Sequence, residues 1–88
     1  MYWKVTDVKY EKDYTLLLTF YNGAHKRIDL KPYLKGPVFV PLLDIEYFKK
    51  VRIEGSSVAW PNGADFAPEF LFEKGQVFTP DEHVTIKA

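Results

Sequence analysis

Trp60-Pro61-Asn62-Gly63-Ala64-Asp65 is the stretch whose reading decides the fold of this chain. Val58 and Trp60 alternate as the end of a strand, Pro61 has no N–H with which to continue a ladder, and Asn62-Gly63 is turn chemistry. Asp65 is expected to cap a helix whose first turn holds Pro68, with its preset φ. The segment therefore reads as strand, turn, cap and helix. It holds no evident nucleophile and no set of metal ligands, so it points to a fold rather than to a reaction.

Working outward, residues 51–54 and 57–60 flank Gly55-Ser56, a pair suited to a type II′ hairpin turn that aligns Ile53 with Val58 and Val51 with Trp60. After the loop, residues 68–74 carry Phe70, Leu71 and Phe72 on a short helix, with Gly75 placed to cap its end. Before the hairpin, Asp44 reads as the N-cap of a helix over residues 45–50 that turns Ile45 and Phe48 inward. Residues 30–34 are too broken for a strand and are expected to form one helical turn.

The first half is read from alternation. Residues 15–21 place Leu16, Leu18 and Phe20 on one face, and residues 24–30 supply the partner strand. A two-residue Asn22-Gly23 turn would set Leu18 against Arg27 and Leu16 against Asp29, burying charge. A three-residue loop, with Gly23 left-handed in a bulge, instead pairs Phe20 with Ala24, Leu18 with Lys26 and Leu16 with Ile28. Residues 3–10 read as a first strand. The expectation is one small α+β domain over residues 1–78, mainly antiparallel sheet built from two hairpins and an N-terminal strand, with two or three short helices. Residues 79–88 read as a polar tail in which residues 84–86 could add an edge strand, and no internal repeat is evident.

Composition narrows the function classes. With 88 residues, 47% hydrophobic and 17% aromatic, the chain can build one modest core, and aromatic area suits so small a domain. Cysteine is absent, which removes disulfides and thiolate metal sites and favours a reducing compartment, the cytoplasm. Twelve basic and twelve acidic residues give zero net charge, against a whole-domain grip on nucleic acid or anionic lipid. No stretch has transmembrane length, and the first residues do not form a signal peptide.

Candidate chemistry is sparse. His25 and His83 lack metal-ligand spacing, and Ser56 and Ser57 lie in a turn with no assignable base. Asp29, Asp44, Asp65 and Glu69 could converge as oxygen ligands or as an acid–base pair, while Asp44 and Asp65 already have explanations as caps. Lys49, Lys50 and Arg52, with His25, Lys26 and Arg27, form two basic clusters near tyrosines 2, 10, 14, 21 and 33, the ingredients of a single-strand binder, but Glu46, Glu54 and Asp29 interleave. Trp60, at a strand end opposite Val51, reads first as a core anchor; with Asn62 and Asp65 it also forms the candidate interaction surface, and Gly23, Gly55, Pro61, Gly63 and Pro68 are expected to serve structure. No metal site or cofactor is indicated.

Taken in order, Val5-Thr6-Asp7-Val8, the Leu16, Leu18, Phe20 alternation ending at Gly23, Ile28-Asp29-Leu30, Gly36-Pro37-Val38-Phe39, Pro41-Leu42, Phe48, and Trp60 to Asp65 followed by Pro68-Glu69 resemble the small bacterial domain of unknown function 2442 family. The resemblance implies a compact α+β fold, a bacterial cytoplasmic setting and no established activity. It also implies a regulatory context, since some relatives carry a helix-turn-helix module and others stand beside a second small protein in arrangements like toxin and antitoxin pairs. The leading expectation is a noncatalytic protein-interaction module, either a homodimer or one half of a two-protein pair. A small-ligand or metal-binding domain, or an enzyme accessory, using the acidic loop around Asp65 is the alternative, and weak nucleic-acid binding is the third.

Overall fold

The computed structural model describes residues 3–80. In chain order, β1 (Val5–Lys12), β2 (Thr15–Phe20) and β3 (His25–Asp29) form a meander. Two 3-10 turns (Lys31–Tyr33 and Val40–Leu43) and helix α1 (Ile45–Phe48) lead to a second meander of β4 (Arg52–Glu54), β5 (Ser57–Ala59) and β6 (Asp65–Phe66). Helix α2 (Pro68–Lys74) and β7 (Gln76–Val77) follow. The strands divide into two antiparallel sheets, ordered β1-β2-β3-β7 and β4-β5-β6. The α+β architecture is thus as expected, with β6 and β7 added to the anticipated strands. The tail beyond residue 80, with its expected edge strand at 84–86, lies outside the described residues.

β2 is central to its sheet, and its alternation is realised: Leu16, Leu18 and Phe20 are buried. The register pairs Leu16 with Ile28 and Leu18 with Lys26. Gly23 has φ 91°, as the bulged loop requires. Phe20 N–H donates to the Ala24 carbonyl (2.9 Å), Gly23 N–H to the Phe20 carbonyl (2.8 Å), and Asn22 Oδ1 accepts from Ala24 N–H (3.0 Å).

The Trp60 loop is the same device used a second time. Trp60 N–H donates to the Ala64 carbonyl (2.9 Å), Gly63 N–H to the Trp60 carbonyl (2.9 Å), and Asn62 Oδ1 accepts from Ala64 N–H (3.0 Å), with Gly63 also at φ 91°. An aromatic residue, a spacer, Asn, Gly and Ala build one hairpin loop at residues 20–24 and again at 60–64. A local repeat therefore exists where none was expected.

This geometry corrects the reading of Asp65. The loop returns the chain as β6, which pairs Asp65 with Ala59 and Phe66 with Val58, so Asp65 is a strand residue. The N-cap of α2 falls at Ala67, which is extended and makes no side-chain cap bond, because the residue before a proline is disfavoured in helical space. Pro68 occupies the first turn as expected. Asp44, by contrast, caps α1: its side chain accepts from Glu46 N–H (3.1 Å).

Three boundaries move. β1 begins at Val5 rather than Trp3 and runs to Lys12, because the turn into β2 is formed by Asp13 and Tyr14, with Asp13 at φ 47°. Aspartate tolerates that left-handed geometry. α1 stops at Phe48, two residues early, since Lys50 N–H and Val51 N–H bond back to Tyr47 and Phe48 in tighter turns. Gly75 closes α2 with its N–H on the Leu71 carbonyl, but at φ −72° it is not a left-handed cap. A Cβ there would lie 2.8 Å from Lys26 Cβ and 2.9 Å from the Leu71 oxygen, so the need for glycine is close approach to β3.

The second hairpin is as expected at its turn, with Ile53 opposite Val58 and Gly55 at φ 62°. The two sheets meet where Val5 N–H donates to the Ser56 carbonyl (2.9 Å). Aromatic rings join the remaining elements in one chain of contacts. Tyr10 and Tyr14 touch Phe48, Phe48 touches Trp60, Trp60 touches Phe66, and Phe66 touches both Phe39 and Phe70, which meets Tyr33.

Two measurements check this description. No atom lies within 4 Å of a Cβ built on Gly23, so Gly23→Val should act through backbone strain alone and lower unfolding free energy in urea by about 1–2 kcal/mol. Glu11 accepts from Arg27 Nε (2.8 Å) and Nη2 (3.0 Å), and these bonds hold its carboxyl below the usual carboxylate range despite partial desolvation. A depressed folded-state value contributes stability above the unfolded-state value, and that stability is lost as pH falls through the folded one. Glu11→Gln should therefore flatten the acid limb of the urea midpoint against pH, modestly because the pair is partly exposed, while leaving slopes above that range unchanged.

Candidate functional site

Residues around the second Asn-Gly loop were expected to form a surface of Trp60, Asn62 and Asp65. The structure separates them. Trp60 continues the inward alternation of Val58 and is 0% exposed, its indole N–H donating to the Phe48 carbonyl (2.8 Å). It is a core anchor and is unavailable to a partner. Asn62 and Asp65 remain on the surface.

Asn62 has two tasks. Its Oδ1 shapes the loop, as above, and its Nδ2 donates to the Val38 carbonyl (3.0 Å), fastening the segment before the second 3-10 turn. The other end of that segment is held by the Tyr14 hydroxyl, which donates to the Leu43 carbonyl. Between these ties Leu42 is buried and Phe39 packs on Phe66 at 5.0 Å. Val38, Val40 and Leu43 point away from the core, at 43%, 53% and 38% exposure. Val40 and Leu43 are three apart in a 3-10 turn, the spacing at which side chains eclipse and share a face. Sequence reading missed this aliphatic face, although Val38 stood in one of the motifs that carried the family resemblance.

Asp65 lies on the outer face of the second sheet. The middle strand there offers only Ser57 and Ala59, while Arg52 and Glu54 on one side and Asp65 on the other are longer, leaving a shallow groove of about 310 Å³. Arg52 is paired with Glu54 at 2.9 Å. Ser57 Oγ donates to the Phe66 carbonyl (2.5 Å), so its hydroxyl serves the sheet.

The four carboxylates weighed as ligands stay apart. Asp29 accepts from Lys31 N–H (3.0 Å), Asp44 caps α1, Asp65 faces the groove, and Glu69 is in the first turn of α2. Among the described residues, no group of three or more His, Asp or Glu side chains is placed to hold a metal ion. His25 Nδ1 lies 3.2 Å from Thr19 Oγ1 and its ring meets Phe78. Thr19 pairs with Asp7 on one side and His25 on the other. His83 and Tyr2 lie outside the described residues.

The basic clusters are largely spent within the fold. Lys26 Nζ sits 4.2 Å from the centre of the Phe72 ring, Arg27 pairs with Glu11, Lys49 with Glu46 at 3.5 Å and over Tyr10, and Arg52 with Glu54. Of the tyrosines considered for stacking, Tyr10, Tyr14 and Tyr33 are engaged with core phenylalanines. Tyr21 is free of such contact and 71% exposed. No helix of the described residues is long and apolar enough to cross a membrane.

Residues 5–76 match the model of a family described as protein of unknown function, DUF2442. No curated protein and no solved structure matches.

The role given to Trp60 is tested by truncation. Trp60→Ala should cost about 3–5 kcal/mol in urea unfolding, a large share of a small domain's stability. Trp60→Phe should cost less, and part of that loss should come from the Phe48 carbonyl, which loses the indole donor at 2.8 Å and keeps only Val51 N–H at 3.3 Å. A Trp60→Ala chain with the parent's midpoint would contradict burial.

Proposed function

Because the chain belongs to the DUF2442 family, whose description assigns no activity, we propose from its own surface that it is a noncatalytic protein-interaction module. The observation that carries this is the aliphatic face of Val38, Val40 and Leu43. Single exposed aliphatics are ordinary on any protein. Three within six residues, on a segment tied at one end by Asn62 and at the other by Tyr14, present apolar area in a fixed shape. Preformed apolar surface loses little ordering entropy on association, which favours a protein partner. Asn62 gives the face a polar edge, in keeping with the polar rims of interfaces.

The partner is a second small protein, in the two-protein regulatory arrangement that the family resemblance implies, or a second copy of the chain. Catalysis is not part of this reading, which rests on the aliphatic face alone. The groove beside Asp65 offers a lone carboxylate facing an ion pair and carries no second reading.

The test is co-expression of the chain with the product of its neighbouring gene, followed by mass measurement of the purified material. A defined complex or dimer is expected. Val40→Asp should weaken it by about 100-fold or more while leaving the thermal midpoint of the isolated chain nearly unchanged, since an unpaired carboxylate would be buried only in the assembly. An assembly that survives Val40→Asp, or a chain that stays monomeric with its neighbour present, would contradict the proposal.

A further inference from the structure

The two hairpin loops share the two backbone bonds that close them, yet they differ in what their asparagines hold. In each, Oδ1 accepts from the alanine N–H two residues on (3.0 Å), and this orients the amide so that its NH₂ is turned away from the loop. At the second loop that NH₂ has a partner, the Val38 carbonyl at 3.0 Å, in a Gly-Pro-Val-Phe segment that lies against the loop. At the first loop, no described residue meets the Asn22 NH₂. The position next to it, Pro61 in the second loop, is Tyr21 in the first. Tyr21 N–H is fixed by the Lys4 carbonyl (2.7 Å) while its side chain is 71% exposed.

We infer that the Tyr21-Asn22-Gly23 loop is a second docking site, which takes a turn-forming aliphatic segment of a partner protein by repeating what the Asn62 loop does with the turn at residues 36–39 of this chain. The Asn22 NH₂ donates to a main-chain carbonyl of that segment, and the Tyr21 ring covers an adjacent apolar side chain. The occupant is defined by this chemistry: a non-helical stretch with a free carbonyl next to a valine-like residue. A helix would have that carbonyl already engaged. An aromatic ring beside a directed donor is the usual make-up of a contact anchor. The site stands apart from the Val38, Val40 and Leu43 face and uses no residue of it.

The probe is the acetylated and amidated peptide of this chain's own residues 35–41, titrated into the full chain and followed by NMR. Saturable shifts are expected at Tyr21, at the Asn22 side-chain amide and at Ala24. Asn22→Asp keeps the acceptor that shapes the loop and removes the donor, so it should leave the thermal midpoint in place and weaken binding about tenfold, which is ~1.4 kcal/mol. Tyr21→Ala, at an exposed position, should weaken it as well and serves if Asn22→Asp proves unstable. Val40→Asp should leave peptide binding intact, which separates this site from the proposed interaction face. Shifts confined to other residues, no saturable shift, or binding unaffected by both Asn22→Asp and Tyr21→Ala would overturn the inference. Self-association of the chain abolished by Asn22→Asp would also overturn it, by assigning the loop to a second copy.

Discussion

The hydrogen bond from the Trp60 indole to the Phe48 carbonyl, made inside a wholly buried aromatic contact, is the constraint on which the rest of the structure depends. Phe48 ends a four-residue helix that could not persist alone, since helices much shorter than about 12 residues are marginal in water. Trp60 directly follows a three-residue strand. Each short element is fixed by the other. Through Phe48 the contact reaches Tyr10 and Tyr14 on the first meander, and through Phe66 it reaches Phe39, Phe70 and Tyr33. A chain of this size has little core to spare, and it concentrates its burial in large rings.

That core also explains how a surface loop is held in one shape. The segment from Gly36 to Leu43 has only 3-10 and turn bonds of its own. It is kept in place by Leu42 and Phe39 inside and by two side-chain donors: Asn62, two residues after Trp60, and Tyr14, whose ring packs on Phe48. The aliphatic side chains left outside are therefore displayed by the same interactions that stabilise the fold. The charged groups tell the opposite story. Most of the cations considered as a nucleic-acid surface are engaged by carboxylates or rings within the chain, whereas the aliphatic side chains of Val38, Val40 and Leu43 are left exposed.

Much of the fold was legible because register has consequences. The loop at Gly23 could be chosen from sequence since one alternative buried Asp29 and Arg27 against leucines, a cost that decides between two pairings. The same loop at Gly63 went unrecognised because its return strand is only Asp65 and Phe66, too short to show alternation, and because an aspartate three residues before a proline resembles a helix cap. The available signal was the match of Phe20-Tyr21-Asn22-Gly23-Ala24 to Trp60-Pro61-Asn62-Gly63-Ala64. Gly75 could be placed at a helix end, but its reason, the approach of Lys26, depends on a strand pairing that no local pattern announces. The candidate site was half legible. Asn62 lies on the surface, and Trp60, whose alternation with Val58 favoured a core anchor over a binding residue, lies in the core. The Val38, Val40 and Leu43 face was invisible for a simple reason: in Val-Phe-Val-Pro-Leu-Leu every residue is apolar, so no period distinguishes those that face the core.

The central claim is that the aromatic core fixes the residue 36–43 segment so that its aliphatic face exists before any partner arrives. Amide hydrogen exchange on the isolated chain tests this most directly, because Val40 N–H donates to the Gly36 carbonyl and Leu42 N–H to the Phe39 carbonyl. The account predicts that both amides exchange far more slowly than in an unstructured peptide, and that Trp60→Phe raises their rates together with that of Phe48. Exchange of Val40 and Leu42 at unstructured rates, while Val58 stays protected, would contradict it.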